Sequence, residues 1–203
     1  VDAVKNHRWV KERINVISGG ERNLYWRLTA IENLKYFGSL YGLSGVKLKK
    51  KIAELLKIVG LEGAEDIPVE RYSKGMKQRL QIARGLINDP EYIFLDEPTL
   101  GLDIVIAKEI RTMIKELAQE GKKGVLLTTH YISEAEELCD YIYVLDKGRM
   151  IAQGTKEELK DLFASEPKMV LQEPGLEEIL MKIIYRSRGE DSEENIFGNK
   201  SRN

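Results

Sequence analysis

Apolar residues in this 203-residue chain fall into short runs and helical stripes, and the two patterns alternate along it. From Arg13 to Ile17 they alternate weakly, which predicts a short strand ending at Ser18-Gly19-Gly20. After the aromatic stretch Leu24-Tyr25-Trp26, Thr29 is followed three residues later by Glu32, the spacing of a capping box. A helix is therefore expected through Asn33, Leu34, Phe37 and Leu40. A second helix is expected from about Val46 to Val59, with Leu48, Ile52, Leu55, Leu56 and Val59 on one face and lysines on the other. Lys74 to Ile87 also has a helical stripe and stops at Asn88-Asp89-Pro90.

Tyr92 to Leu95 and Val125 to Thr128 are brief apolar runs bounded by turn residues, as expected of buried strands. Between them Ile106, Ala107, Ile110, Met113, Ile114 and Leu117 mark an amphipathic helix closed by Gly121. Tyr141–Leu145 and Met150–Gln153 read as a hairpin around Asp146-Lys147-Gly148-Arg149. Helices follow around Lys156–Phe163 and Leu176–Tyr185, and from Arg186 onward the chain is polar and expected to be disordered. The opening residues Val1 to Asn6 carry no helix or strand signal and read as the middle of something longer. Alternation of strand and helix from residue 74 to 140 predicts an α/β class with parallel strands.

Composition narrows the function classes. With 32 basic and 33 acidic residues there is no basic excess of the kind that binds nucleic acid. A lone cysteine, Cys139, rules out an intrachain disulfide framework and fits a reducing compartment. No apolar run approaches the ~20 residues needed to span a bilayer, so work at a membrane would require docking on another chain.

Candidate chemistry begins at Tyr92-Ile93-Phe94-Leu95-Asp96-Glu97. An apolar strand ending in two carboxylates places them at the carboxyl edge of the sheet, where α/β proteins bind ligands. Asp96 there can hold Mg²⁺, and Glu97 can deprotonate an attacking water. The hexapeptide alone also fits a strand ending in a solvated acidic turn. Twenty-three positions upstream, Ser73 opens the run Ser73-Lys74-Gly75-Met76 at a helix start. A hydroxyl, unpaired N–H groups and the positive end of a helix dipole suit an anion, and Gly75 allows a phosphate close to the backbone. A plain Ser N-cap is the simpler reading of that residue by itself. Thr99-Leu100-Gly101-Leu102-Asp103 and, after the next strand, Thr128-Thr129-His130 complete the set. An imidazole at a strand end can donate to a phosphate oxygen or position the attacking water.

Tyr72-Ser73-Lys74-Gly75-Met76-Lys77-Gln78-Arg79-Leu80, Ile93-Phe94-Leu95-Asp96-Glu97-Pro98-Thr99, Gly101-Leu102-Asp103 and Thr128-Thr129-His130 resemble, in order and spacing, the signature, Walker B, D-loop and H-loop motifs of ABC ATPases. The resemblance covers about residues 13 to 163 and is nearest to exporter-type subunits that pair with separate permeases. It implies a partial P-loop NTPase fold with parallel core strands and a helical signature subdomain over about 27–89. The core remainder would occupy about 90–165, with a helical extension over about 166–185.

The resemblance also implies residue roles. Asp96 is the Mg²⁺-side carboxylate, Glu97 the general base and His130 the switch histidine. Ser73, Lys74, Gly75 and Met76 form the signature that meets an ATP held mainly by a second ATPase subunit, and Asp103 couples the two sites. Ile17-Ser18-Gly19-Gly20-Glu21-Arg22 mimics a signature, but its place before Leu24-Tyr25-Trp26 matches the Q-loop. Gly20 then stands where the family usually has Gln, with Glu21 a substitute. Leu24-Tyr25-Trp26 and the helix behind it are a docking surface for a membrane permease or, equally, part of a local core.

A P-loop reads Gly-x4-Gly-Lys-Ser/Thr, and none of the 203 residues spells one; the only Gly-Lys pair is Gly121-Lys122, followed by Lys123. In the family it lies upstream of the Q-loop. The expectation is therefore a chain that begins downstream of its P-loop, binds ATP poorly alone and hydrolyses none, with the apolar faces of Tyr92–Leu95 and Val125–Thr128 poorly covered. The parent would be a cytoplasmic ATPase peripheral on the inner face of the membrane. Two alternatives stand beside it: a non-enzymatic module lending a signature face to an intact partner, and a non-transport ABC ATPase.

Overall fold

The computed structural model describes residues 2–19, 23–119 and 121–164, together with Ile179 and Ile183. The polar tail, Gly20 and Glu21 lie outside the described residues, as does all but Ile179 and Ile183 of the helix expected over Leu176–Tyr185. The chain divides into two compact units, Val1–His130 and Tyr131–Asn203.

In the first unit, α1 (His7–Arg13) runs directly into β1 (Ile14–Ser18). Three helices follow: α2 (Ala30–Leu40), α3 (Gly45–Ile58) and, after a 3₁₀ turn at Val69–Arg71, α4 (Lys74–Gly85). The remainder is β2 (Tyr92–Asp96), α5 (Ile104–Gln119) and β3 (Gly124–Thr128). α1 and the 3₁₀ turn have no counterpart in the sequence expectation; α1 has no acidic first turn, no side-chain cap and no buried residue, so it carries no amphipathic signal to read. The capping box at the start of α2 is present in full: Thr29 Oγ1 accepts from the Glu32 amide at 3.2 Å, and Glu32 Oε2 accepts from the Thr29 amide at 2.9 Å.

The three strands pair in parallel with β2 in the middle, in register from Ile14–Tyr92–Gly124 to Ser18–Asp96–Thr128. Side chains alternate along a strand, so this register sorts them into two faces. One carries Ile17, Ile93 and Leu95, all buried, and lies against α4. Gly85 makes that contact possible: a Cβ there would fall 2.3 Å from Ile17 Cγ1. The other face carries Val16, Tyr92 and Leu126, each about half exposed at 50%, 53% and 52%. Asp96 and Thr128 share the parity of that second face, at its carboxyl end.

The helices of this unit form their own core of Leu34, Leu48, Ile52, Leu55, Leu80 and Ile87. Arg79 ties three of them together: it donates to the Val59 carbonyl at 2.7 Å and to Glu109 on α5 at 2.6 Å. Fully burying one such aliphatic side chain contributes roughly 1.5–3 kcal/mol.

The second unit holds α6 (Ile132–Leu138), the antiparallel pair β4 (Ile142–Asp146) and β5 (Arg149–Gly154), and α7 (Lys156–Ala164). The hairpin turns at Lys147 and Gly148, both with positive φ (48° and 75°), the geometry of a two-residue type I′ turn. Ile142, Val144, Leu159, Ile179 and Ile183 form its core. α6 is the element of this unit that the sequence pattern does not announce.

Candidate functional site at the carboxyl edge of the sheet

Asp96 ends β2 between two parallel neighbours, and both hold it. The Gly19 amide donates to the Asp96 carbonyl at 2.6 Å, and on the other side the Glu97 amide donates to the Thr128 carbonyl at 3.0 Å. Thr128 Oγ1 donates to Asp96 Oδ1 at 2.6 Å. Glu97 leaves the strand with φ of +48°, a left-handed conformation that a residue with a side chain seldom adopts. Gly19 passes so near this turn that a Cβ on it would sit 2.2 Å from the Glu97 carbonyl oxygen. The reversal swings the Glu97 side chain to His130, whose Nδ1 lies 2.8 Å from Glu97 Oε1. An ionised carboxylate only accepts, so Nδ1 carries the proton in this pair.

Glu97 Oε2 is buried and has no hydrogen-bond partner. A buried carboxylate oxygen left unmatched costs about 1–3 kcal/mol or more, and a donor such as water would satisfy it. Among the described residues no three His, Cys, Asp or Glu side chains gather into a metal cage. Mg²⁺ ordinarily keeps several waters and takes one or two carboxylates plus phosphate oxygens. The Asp96 carboxylate, at the exposed end of β2, is of the type that could hold such an ion, which would supply charge neutralisation at phosphates.

At the start of α4, Ser73 is the N-cap, and its Oγ accepts from the Met76 amide at 3.2 Å. Accepting leaves the hydroxyl proton available to an anion, so capping and anion contact are compatible. Gly75 meets a second demand besides the one expected from the sequence. It is buried against α5, and a Cβ on it would lie 2.8 Å from Ile106 Cγ2, so helix packing already requires glycine there. Lys74 is exposed, and its Nζ lies 3.7 Å from where a Cβ on Gly101 would be. Asp103 caps α5, its Oδ1 accepting from the Val105 and Ile106 amides at 3.1 and 3.0 Å. The start of α4 and the turn before α5 are thus neighbours, whereas Gly20 lies outside the described residues.

Leu24-Tyr25-Trp26 divides between the two readings left open for it. Leu24 is buried, while Tyr25 and Trp26 are each 47% exposed. Tyr25 packs edge-on to Tyr36 at 4.9 Å, and Lys77 Nζ stands 4.8 Å over the Trp26 ring. Asn33, wholly buried, organises this segment: its Oδ1 accepts from the Tyr25 amide at 2.8 Å, and its Nδ2 donates to the Tyr25 and Thr29 carbonyls. Behind it burial pushes the Arg84 guanidinium below its ordinary value, and Arg84 donates to the Val16 carbonyl at 3.2 Å. Gly19, Thr128 and Asn33 lie in segments that the sequence singles out, but it gives none of the three a role of its own. The first two become visible once the register sets Ser18, Asp96 and Thr128 side by side.

Comparison with known proteins shows the family and the fold. A family model described as "ABC transporter" matches residues 2–100. The ABC transporter ATP-binding protein NatA of Bacillus subtilis (strain 168) is 43% identical over 165 residues, which are 81% of this chain and 67% of NatA. The Nod factor export ATP-binding protein I of Cupriavidus metallidurans is 44% identical over 139 residues, 68% of this chain and 46% of that protein. A solved dimeric ATP-binding cassette in a post-hydrolysis state, bound to ADP and Pi, superposes with a TM-score of 0.64 at 29% identity, covering 76% of this chain and 68% of its own. The chain belongs to the ABC transporter family of ATP-binding proteins, with the P-loop NTPase α/β fold of that family. It spans about half to two thirds of the length of the curated relatives it matches.

Proposed function

We propose that this chain is the catalytic-carboxylate and signature portion of an exporter-type ABC ATPase, which uses ATP and Mg²⁺ to drive a separate membrane permease. Similar proteins that carry export in their names support the exporter reading. The observation that carries the enzymatic reading is the Glu97–His130 contact of 2.8 Å beside an unmatched, buried Glu97 Oε2. In this reading His130 fixes the Glu97 carboxylate by one oxygen, and the other takes a proton from the attacking water. Asp96 is the Mg²⁺ carboxylate. Ser73, Lys74, Gly75 and Met76 face a nucleotide held by a second ATPase subunit, with Asp103 and Gly20 at the same interface. The phosphate cradle comes from outside these 203 residues, because they contain no Gly-x4-Gly-Lys-Ser/Thr. A module that only lent a signature face would have no use for an aligned base and histidine.

In the full-length protein, Glu97→Gln is expected to lower ATP turnover by about 10² to 10⁴-fold. The 203-residue chain by itself is expected to show no turnover. Undiminished hydrolysis by the Glu97→Gln protein would remove the base assignment. Steady turnover by the short chain would mean that it holds a cradle of another kind.

The half-exposed Tyr25–Trp26 segment is the surface assigned to the permease. No helix among the described residues is long and apolar enough to cross a membrane, so the permease would be another chain or another part of this protein. Trp26→Ala is expected to weaken co-purification of the two, and unchanged recovery would refute that assignment.

A further inference from the structure

We propose that Thr128 is a positioning residue for Asp96: its hydroxyl fixes the carboxylate so that one oxygen stays available to the divalent cation. The inference rests on the reading of Asp96 as the Mg²⁺ carboxylate. It starts from how little freedom Asp96 retains. Its carbonyl is held by the Gly19 amide at 2.6 Å, and the next amide along the chain is held by the Thr128 carbonyl at 3.0 Å. Ser18, Asp96 and Thr128 stand in one row across the sheet, so the backbone cannot slide without breaking both ladders. What remains is rotation of the Asp96 side chain. Exposed to solvent, a strand-end aspartate would sample several staggered rotamers.

Thr128 removes that choice. Its Oγ1 lies 2.6 Å from Asp96 Oδ1, within the short range of hydrogen bonds to an ionised carboxylate. A hydroxyl has a single proton, so it engages one oxygen only. Asp96 Oδ2 has no hydrogen bond among the described residues. Threonine suits the task better than serine because β-branching stiffens χ1, so the hydroxyl is itself held in place. The polar group that orients a metal carboxylate typically matters 10–100-fold in metal affinity, although it never touches the ion.

The test compares wild type, Thr128→Val and Thr128→Ser in the full-length protein loaded with ATP, with Mn²⁺ binding read by electron paramagnetic resonance. Valine keeps the shape and loses the hydroxyl; serine restores it. Half-saturation by Mn²⁺ is expected to weaken about 10-fold in Thr128→Val and to return to within about 2-fold of wild type in Thr128→Ser. Affinity for ATP without divalent cation is expected to stay the same in all three. Equal Mn²⁺ affinity in wild type and Thr128→Val would overturn the proposal. So would a loss that serine does not restore, since that would report a packing defect. If the wild type takes up no Mn²⁺ with ATP, the functional reading of Asp96 falls. The positioning role is then judged from crystal structures: an Asp96 side chain in the same rotamer in wild type and Thr128→Val defeats it, and a changed or scattered rotamer upholds it.

Discussion

The two faces of the parallel sheet are alike in composition and opposite in environment. Against α4, Ile17, Ile93 and Leu95 are buried, and the helix comes so close that only a glycine fits at position 85. Across the sheet, Val16, Tyr92 and Leu126 are equally apolar yet stand half in solvent. Strands of a parallel sheet are ordinarily covered on both sides, and their near-continuous apolar runs reflect it. The second face is therefore written for a cover that the described residues do not supply. The candidate site sits on the rim of that face, where Asp96 and Thr128 point by parity. Framework and chemistry are thus divided: one side of the sheet holds the strands in place, and the other presents them.

The largest effect should come from the covered face. Ile17→Ala is expected to lower unfolding free energy by about 2–5 kcal/mol, measured by urea denaturation. Leu126→Ala, one face over, is expected to cost less than about 1 kcal/mol and to reduce self-association in sedimentation, because an exposed apolar group is being trimmed. Equal losses at the two positions would break the contrast and show that the second face is packed in solution.

A smaller effect concerns the register that keeps the faces apart. Lys123, just before β3, donates to Asp89 Oδ1 at 3.0 Å and to the Pro90 carbonyl at 2.8 Å, tying the entrance of β2 to that of β3. The hydrogen bond from Lys123 holds the Asp89 carboxyl below its ordinary value of 3.8. A depressed carboxylate gives stability that is complete above the unfolded value and is lost as pH falls through the folded one. Melting temperature in Asp89→Asn is accordingly expected to lie slightly below wild type at neutrality and to converge with it as pH falls below about 4; a gap between the two that stays constant into acid would contradict this.

The sequence makes legible whatever a short stretch decides for itself. Thr29 and Glu32 meet within one turn, and the structure shows both arms of their box. Ser73 announces the start of α4, and Asp96-Glu97 the end of β2. What escapes depends on distant segments. Thr128 opposes Asp96 from 32 positions away, and Gly19 meets Glu97 only because β1 lies beside β2. Gly75 reads as room for a phosphate and is also room for Ile106. α6 is seven residues long and has no side-chain cap, so no local signal marks it.

One consequence of the Gly85–Ile17 contact lies at the far end of the same helix. α4 has 12 residues, which at 1.5 Å rise makes it a rod about 18 Å long. Its C-terminal end is wedged against β1 with no methyl group to spare, while Ser73 stands at the opposite tip. A rod pinned at one end magnifies rotation: tilting it by roughly 5° about Gly85 would carry Ser73 some ~1.5 Å, half the length of a hydrogen bond. If Ser73 meets a nucleotide as proposed, small displacements of β1 would thus decide whether its hydroxyl reaches the phosphate or falls short of it.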